Sequence, residues 1–145
     1  MPALRYNIGS ILSVSGTASI YNNATIQAGT DALVIDNTVN NALLADFYLS
    51  CAVSGASMSG GGFVLACLDW DLGAVNGPSF PLAGIIPIYA GTFDRIPVLQ
   101  NGGTIRTRVN SVPLKNKSSY FIYNMGTGGV IATPWTLFAQ CWSPG

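Results

Sequence analysis

The chain has 145 residues, 49% of them hydrophobic and only 8% charged, with six acids against six bases, no histidine and no glutamate. A soluble domain ordinarily carries roughly 25% charged residues, so Ser, Thr, Asn, Gly and uncharged aromatics must cover this one, a surface suited to packing against other proteins. Without histidine there is no Ser-His-Asp or Cys-His relay and no imidazole metal ligand; without glutamate, carboxylate chemistry falls to the aspartates alone. The expectation is a protein that is not an enzyme and takes no cofactor.

A chain of this length is most simply one domain, able to bury about 68–70% of its unfolded surface. The bases Arg5, Arg95, Arg106, Arg108, Lys115 and Lys117 make no dense stripe, so neither nucleic acid nor an anionic membrane is an expected partner. The best apolar run, Leu82 to Tyr89, is short and holds Pro87, too little for a membrane span. Ser, Gly and Thr interrupt Ile8 to Ile20 after Arg5, which argues for a soluble chain without a secretory signal.

Glycine, proline, asparagine and serine punctuate the sequence, and no stretch keeps a helical apolar period; the pattern is all-β. Residues 1–44 read as an N-terminal arm or small added sheet, with strands at Ile11–Val14, Ala18–Tyr21, Ala24–Ala28 and Ala32–Ile35. The clearest alternation follows. In Ala45–Val53, Phe47, Leu49, Cys51 and Val53 share a face; in Phe63–Asp71, Phe63, Leu65 and Cys67 share one face while Val64, Leu68 and Trp70 take the other. Ser54 to Gly62 between them reads as a hairpin loop joining an antiparallel pair. Leu72 to Thr92, with Pro78, Pro81 and Pro87, reads as mainly loop, apolar enough to be tucked over the sandwich or buried by a partner. Strands are then expected at Ile85–Tyr89, Arg95–Leu99, Thr104–Val109, Tyr120–Met125 and Thr136–Trp142. The whole is an antiparallel sandwich of about eight strands over residues 45–145, with the extra N-terminal strands beside it.

Cys51, Cys67 and Cys141 sit in apolar runs without the close spacing of a zinc or redox motif, so buried reduced thiols are expected, although a hairpin would set Cys51 and Cys67 opposite each other. Asp69 and Asp71 alternate onto one strand face, the weak pattern of a calcium site or carboxylate pair; a solvated strand end before Gly73 is the simpler reading. Gly60-Gly61-Gly62 and Gly126-Thr127-Gly128-Gly129 lack a P-loop ending and read as connections. Asn23-Ala24-Thr25 and Asn116-Lys117-Ser118 match the glycosylation sequon without a secretory context. Scarce charges and exposed aromatics point to contacts: Arg5, Tyr21, Phe80, Ile85, Ile86, Tyr89, Arg106 and Arg108 are the interface candidates, the last two on one strand face that is either simply solvated or pairs with Asp94 or Asp46 of a neighbour. Trp70 and Trp135 are the candidates for a sugar-binding face.

In layout, Ala45-Asp46-Phe47-Tyr48-Leu49-Ser50, then Phe63-Val64-Leu65-Ala66-Cys67-Leu68-Asp69, a Gly/Pro-rich middle, Val112-Pro113-Leu114, Tyr120-Phe121-Ile122-Tyr123-Asn124-Met125-Gly126 and Trp135-Thr136-Leu137-Phe138-Ala139 resemble a family of small structural proteins of tailed-bacteriophage virions. The resemblance covers about Asp36 to Trp142, and the chain departs from it in the long Leu72–Thr92 insertion. It implies a jelly-roll sandwich serving as a capsid decoration (cement) protein, made in the host cytoplasm and carried as a homotrimer on the outer surface of the head. The major capsid protein would be its partner, contacted by the arm and apolar loops. The alternative is a tail-associated or free jelly-roll module that binds a host glycan.

Overall fold

The structure, a computed structural model, describes residues 4–16, 19, 32–55, 63–69, 88–93, 104–124 and 129–145. These form eight strands: β1 Arg5–Ser15, β2 Leu33–Asp36, β3 Leu44–Gly55, β4 Phe63–Asp69, β5 Ile88–Thr92, β6 Thr104–Pro113, β7 Lys117–Asn124 and β8 Gly129–Pro144. They build two antiparallel four-stranded sheets, β1-β8-β3-β6 and β2-β7-β4-β5. The expected class, an all-β antiparallel sandwich of eight strands, is the one observed. Within it the pairs β1·β8, β2·β7, β3·β6 and β4·β5 nest inside one another like the rungs of a single long antiparallel ribbon, and β3·β8 and β4·β7 contacts roll that ribbon into two layers.

Strand alternation explains the core. Phe47, Leu49 and Cys51 of β3, Leu137, Ala139 and Cys141 of β8 and Val109 of β6 point from the first sheet at Leu33 and Ile35 of β2, Leu65 and Cys67 of β4 and Tyr120 and Ile122 of β7 from the second. The Phe47 and Tyr120 rings meet between the layers with centroids 4.5 Å apart. Each fully buried side chain of this size contributes about 1.5–3 kcal/mol relative to exposure. The apolar alternation read from 45–53 and 63–69 is therefore the inner lining, and Val64, Ala66 and Leu68, on the opposite face of β4, are buried as well.

Two expectations change. The segments around 45–53 and 63–69 do not pair with each other: β3 bonds to β6 and β8, β4 to β5 and β7, so the chain crosses between layers where a hairpin was expected. Alternation identifies a strand but not its neighbour. Within residues 1–44, the described strands β1 and β2 belong to the sandwich itself, one edge strand to each sheet, and Leu33, Ile35 and Ala42 are part of the core. Between β2 and β3 the chain makes a tight link. The Asn37 side chain donates to Ala42 O at 2.7 Å and accepts from Ala42 N at 2.8 Å, closing a turn whose Asn41 is left-handed, with φ 50°. The strands expected at Ala18–Tyr21, Ala24–Ala28 and Arg95–Leu99, the loop core of Leu72–Thr92 and both glycine-rich tips lie largely or wholly outside the described residues.

Candidate interaction surface

Across the outward face of the first sheet, register sets Ser13, Phe138, Tyr48 and Arg108 in one row and Ser15, Thr136, Ser50 and Arg106 in the next. Arg106, Arg108 and Asn110 are exposed while Thr107 and Val109 turn inward, so the two arginines do share a face.

The acid of this face is Asp46, and it is committed within the chain. On β6, Asn110 and Ser111 together stand opposite it, a bulge in which Ser111 adopts φ 57°. The Ser111 N–H donates to Asp46 Oδ1 at 2.8 Å and the Trp142 indole N–H to the same oxygen at 3.0 Å. Arg5 Nη1 donates to Oδ2 at 2.5 Å, and its guanidinium lies 4.7 Å from the Trp142 ring centroid. Asp46 is only 2% exposed. Burial pushes its carboxyl up, but the Ser111 N–H, the Arg5 guanidinium and the Trp142 indole together outweigh it and hold the pKa below the usual carboxylate value. A neighbour's arginine therefore has no open Asp46 to pair with; Arg5 already fills it. Asp94 lies outside the described residues.

At the edge beside this cluster, β1 and β2 flank a groove of about 320 Å³ lined by Ile8, Leu12, Val34, Ile35, Asn40 and Cys141 among others. Its rim is shaped by a β1 bulge: between the Ile8↔Cys141 and Leu12↔Ala139 pairs, Gly9, Ser10 and Ile11 stand against Gln140 alone. Gly9 has φ 74°, which only glycine adopts without strain, and Gln140 Nε2 donates to Gly9 O at 3.3 Å. Asp36 on the far rim lies 3.9 Å from Lys117 Nζ, and the Thr38 hydroxyl and N–H hold its pKa down. The most exposed large apolar side chains lie at β1 and in the link that follows β2: Leu4, Tyr6, Ile11 at 64%, Val39 at 84%, and Leu43. Leu4 and Leu43 flank the end of β8, through Gly145 N–H to Leu4 O and Leu43 N–H to Ser143 Oγ.

The other candidates divide. Arg5 is part of a structural cluster and still 39% exposed. Tyr89 lies on β5, its side chain outside what is described; Tyr21, Phe80, Ile85, Ile86, Trp70 and Asp71 also fall outside. Trp135 is 3% exposed, in the core, with its indole against Gly16, so it has no free face for a sugar. Asp69 ends β4 half-buried, and among the described residues no group of three metal-ligating acids or thiols exists. Cys51, Cys67 and Cys141 are free and buried. Burial raises all three and pushes Cys51 up to about 12, far from a reactive thiolate. Beside Cys67, the buried Ser118 Oγ and Tyr120 Oη have no partner at hydrogen-bonding geometry, and burial drives the Tyr120 phenol upward.

Sequence reading passed over Asp46 as a structural hub and Leu4, Tyr6, Ile11, Val39 and Leu43 as an exposed group. Alternation with Phe47 did place Asp46 and Tyr48 on the outward face, which was the available signal. No protein-family model matches the chain, and no curated protein or solved structure matches it. No helix among the described residues is long and apolar enough to cross a membrane.

Proposed function

We propose that the protein is a structural component of a bacteriophage virion without catalytic activity, a capsid decoration protein that binds the outer surface of the head as a trimer and clamps neighbouring capsid subunits. The observation that carries this reading is the exposure of the apolar side chains Leu4, Tyr6 and Ile11 at β1 and Val39 and Leu43 between β2 and β3, in a chain that is 8% charged. Apolar side chains exposed on a weakly charged surface favour protein contact. The nested strand order supports a jelly roll, an architecture common in viral shells and in lectins alike. Fold alone does not choose between those uses; the resemblance to small virion proteins favours the first and supplies the trimer and the major capsid protein as partner. The inert buried thiols and the absence of histidine and glutamate accord with a part that performs no chemistry.

Immunogold electron microscopy of source-phage virions, with antibody to the purified protein, tests the assignment. Label spread over the head is expected; label confined to the tail would move the reading to host-glycan recognition. Adhesion by apolar burial should survive high salt, because screening acts on exposed charges. Release from shells by moderate salt alone would overturn the apolar mechanism.

A further inference from the structure

Four strands form the edges of the two sheets, and three of them are guarded. β2 and β5 are short, four and five residues. β6 carries exposed Arg106 and Arg108, the left-handed Ser111 and Pro113. Short length, charge, bulges and proline are the usual means of preventing edge-to-edge pairing. β1 differs. It runs 11 residues, bonds to β8 on one side and has no strand on the other among the described residues. Its one charge, Arg5, folds back onto Asp46 and Trp142.

Beyond the bulge the strand reads Ile11-Leu12-Ser13-Val14-Ser15. Leu12 and Val14 are half-buried against the core, and Ile11, Ser13 and Ser15 are exposed. Laid antiparallel on itself about Ser13, this segment sets Leu12 opposite Val14, Ile11 opposite Ser15 and Ser13 opposite Ser13. In antiparallel pairs, opposed residues share a face, so aliphatic side chains meet on the inner face; a register centred on Leu12 or Val14 would leave one of those two apolar residues opposite a position outside the segment. Charge also permits it: Arg5 is paired with Asp46 and Asp36 with Lys117 inside each copy, so two identical edges meet without an unpaired like charge.

We infer that β1 is a two-fold contact between copies of this chain, in which Ile11–Ser15 strands pair antiparallel about Ser13 and join the two four-stranded sheets into one of eight strands. An isologous contact of this kind is self-complementary by symmetry, and it brings the two β1/β2 grooves together across the axis. It does not depend on where the protein resides or on any three-fold contact elsewhere.

The test is sedimentation equilibrium of the full chain with Ser13→Lys and Ser13→Asp variants, checked by circular dichroism for folding. Ser13 is exposed, so both should fold. Each variant alone sets like charges face to face at the axis and should halve the mass of the assembly. An equimolar mixture should restore it, and amides of 11–15 should be protected from hydrogen exchange in the restored assembly. A wild-type assembly unchanged by either charge, or one lost in both and not restored by mixing, overturns the inference. So does a wild-type chain with no two-fold partner and fast-exchanging β1 amides, which would leave the edge to a strand from another protein. Virion labelling is independent of all these outcomes.

Discussion

The two open sides of the sandwich are finished differently. On one, β5 and β6 come together so closely that a Cβ on Gly91 would lie 2.5 Å from Val109 Cγ1; glycine there lets the two sheets meet, and Phe93 and Thr107 are buried beside them. On the other, β1 and β2 flank a groove lined by Ile8, Leu12, Val34 and Ile35, and Tyr6 and Ile11 of β1 are exposed. One side is closed by its own packing and the other keeps a groove between its strands. The difference singles out one side for the contact proposed above, which composition does not do, since charge poverty applies to the whole chain.

The closed side should break first. Gly91→Ala places a methyl group against a β-branched side chain with little rotamer freedom, and overpacking of this kind costs about 1–3 kcal/mol. Urea denaturation should show the loss, and Val109→Ala in the same chain should recover part of it by vacating the space. Equal stability of Gly91→Ala and wild type would mean that the two sheets are not held this close.

On the open side the expected effect is smaller and conformational. Gly9→Ala forces a Cβ into a left-handed backbone, at about 1–2 kcal/mol, and presses it to 3.3 Å from Asn40 Nδ2. Thermal unfolding should fall accordingly; an unchanged Tm would indicate that the bulge rearranges at no cost.

Asp46 links the open edge to the sheet face. Asn in its place keeps an oxygen for the Ser111 and Trp142 donors but loses the charge facing Arg5, which is partly exposed, so about 1 kcal/mol at neutral pH is expected. Its folded pKa is depressed. The stability it contributes is therefore present above its unfolded value, about 3.9, and lost as pH falls through the lower folded value. Denaturation across that acid window should show a decline in wild type that Asp46→Asn reduces; parallel profiles would remove Asp46 from the account.

How far the sequence anticipates these features depends on whether the signal is local. Alternation along Phe47, Leu49 and Cys51 and along Leu65 and Cys67 identifies strands and inner faces because each side chain's direction follows from its neighbours. The pairing of β3 with β8, 80 or more residues away in most of its register, has no local signature, which is why the expected hairpin proved to be a crossing between layers. β1 was underestimated for a related reason: Gly9, Ser10 and Ile11 stand against Gln140 alone, a bulge set by the partner strand and not by local apolar pattern, so the strand reads as starting at Ile11 although Ile8 and Leu12 both face the core. On the outward sheet face, the exposure of Arg106 and Arg108 could be read from alternation. The closure of Arg5 onto Asp46 joins residues 41 apart and could not.

The smallest expected effect on folding is the most informative about contact. Ile11 is 64% exposed, so replacing it with serine removes little buried area, and stability should stay within about 0.5 kcal/mol, the range for surface positions without special contacts. If Ile11 becomes buried when another chain covers the open edge, the same substitution forfeits most of an isoleucine side chain's transfer energy, about 1.5–3 kcal/mol, and weakens association by roughly tenfold or more. Measured together, an unchanged unfolding midpoint with weakened association places the contact on β1. An unchanged midpoint with unchanged association would move it to the other exposed apolar end, around Val39 and Leu43.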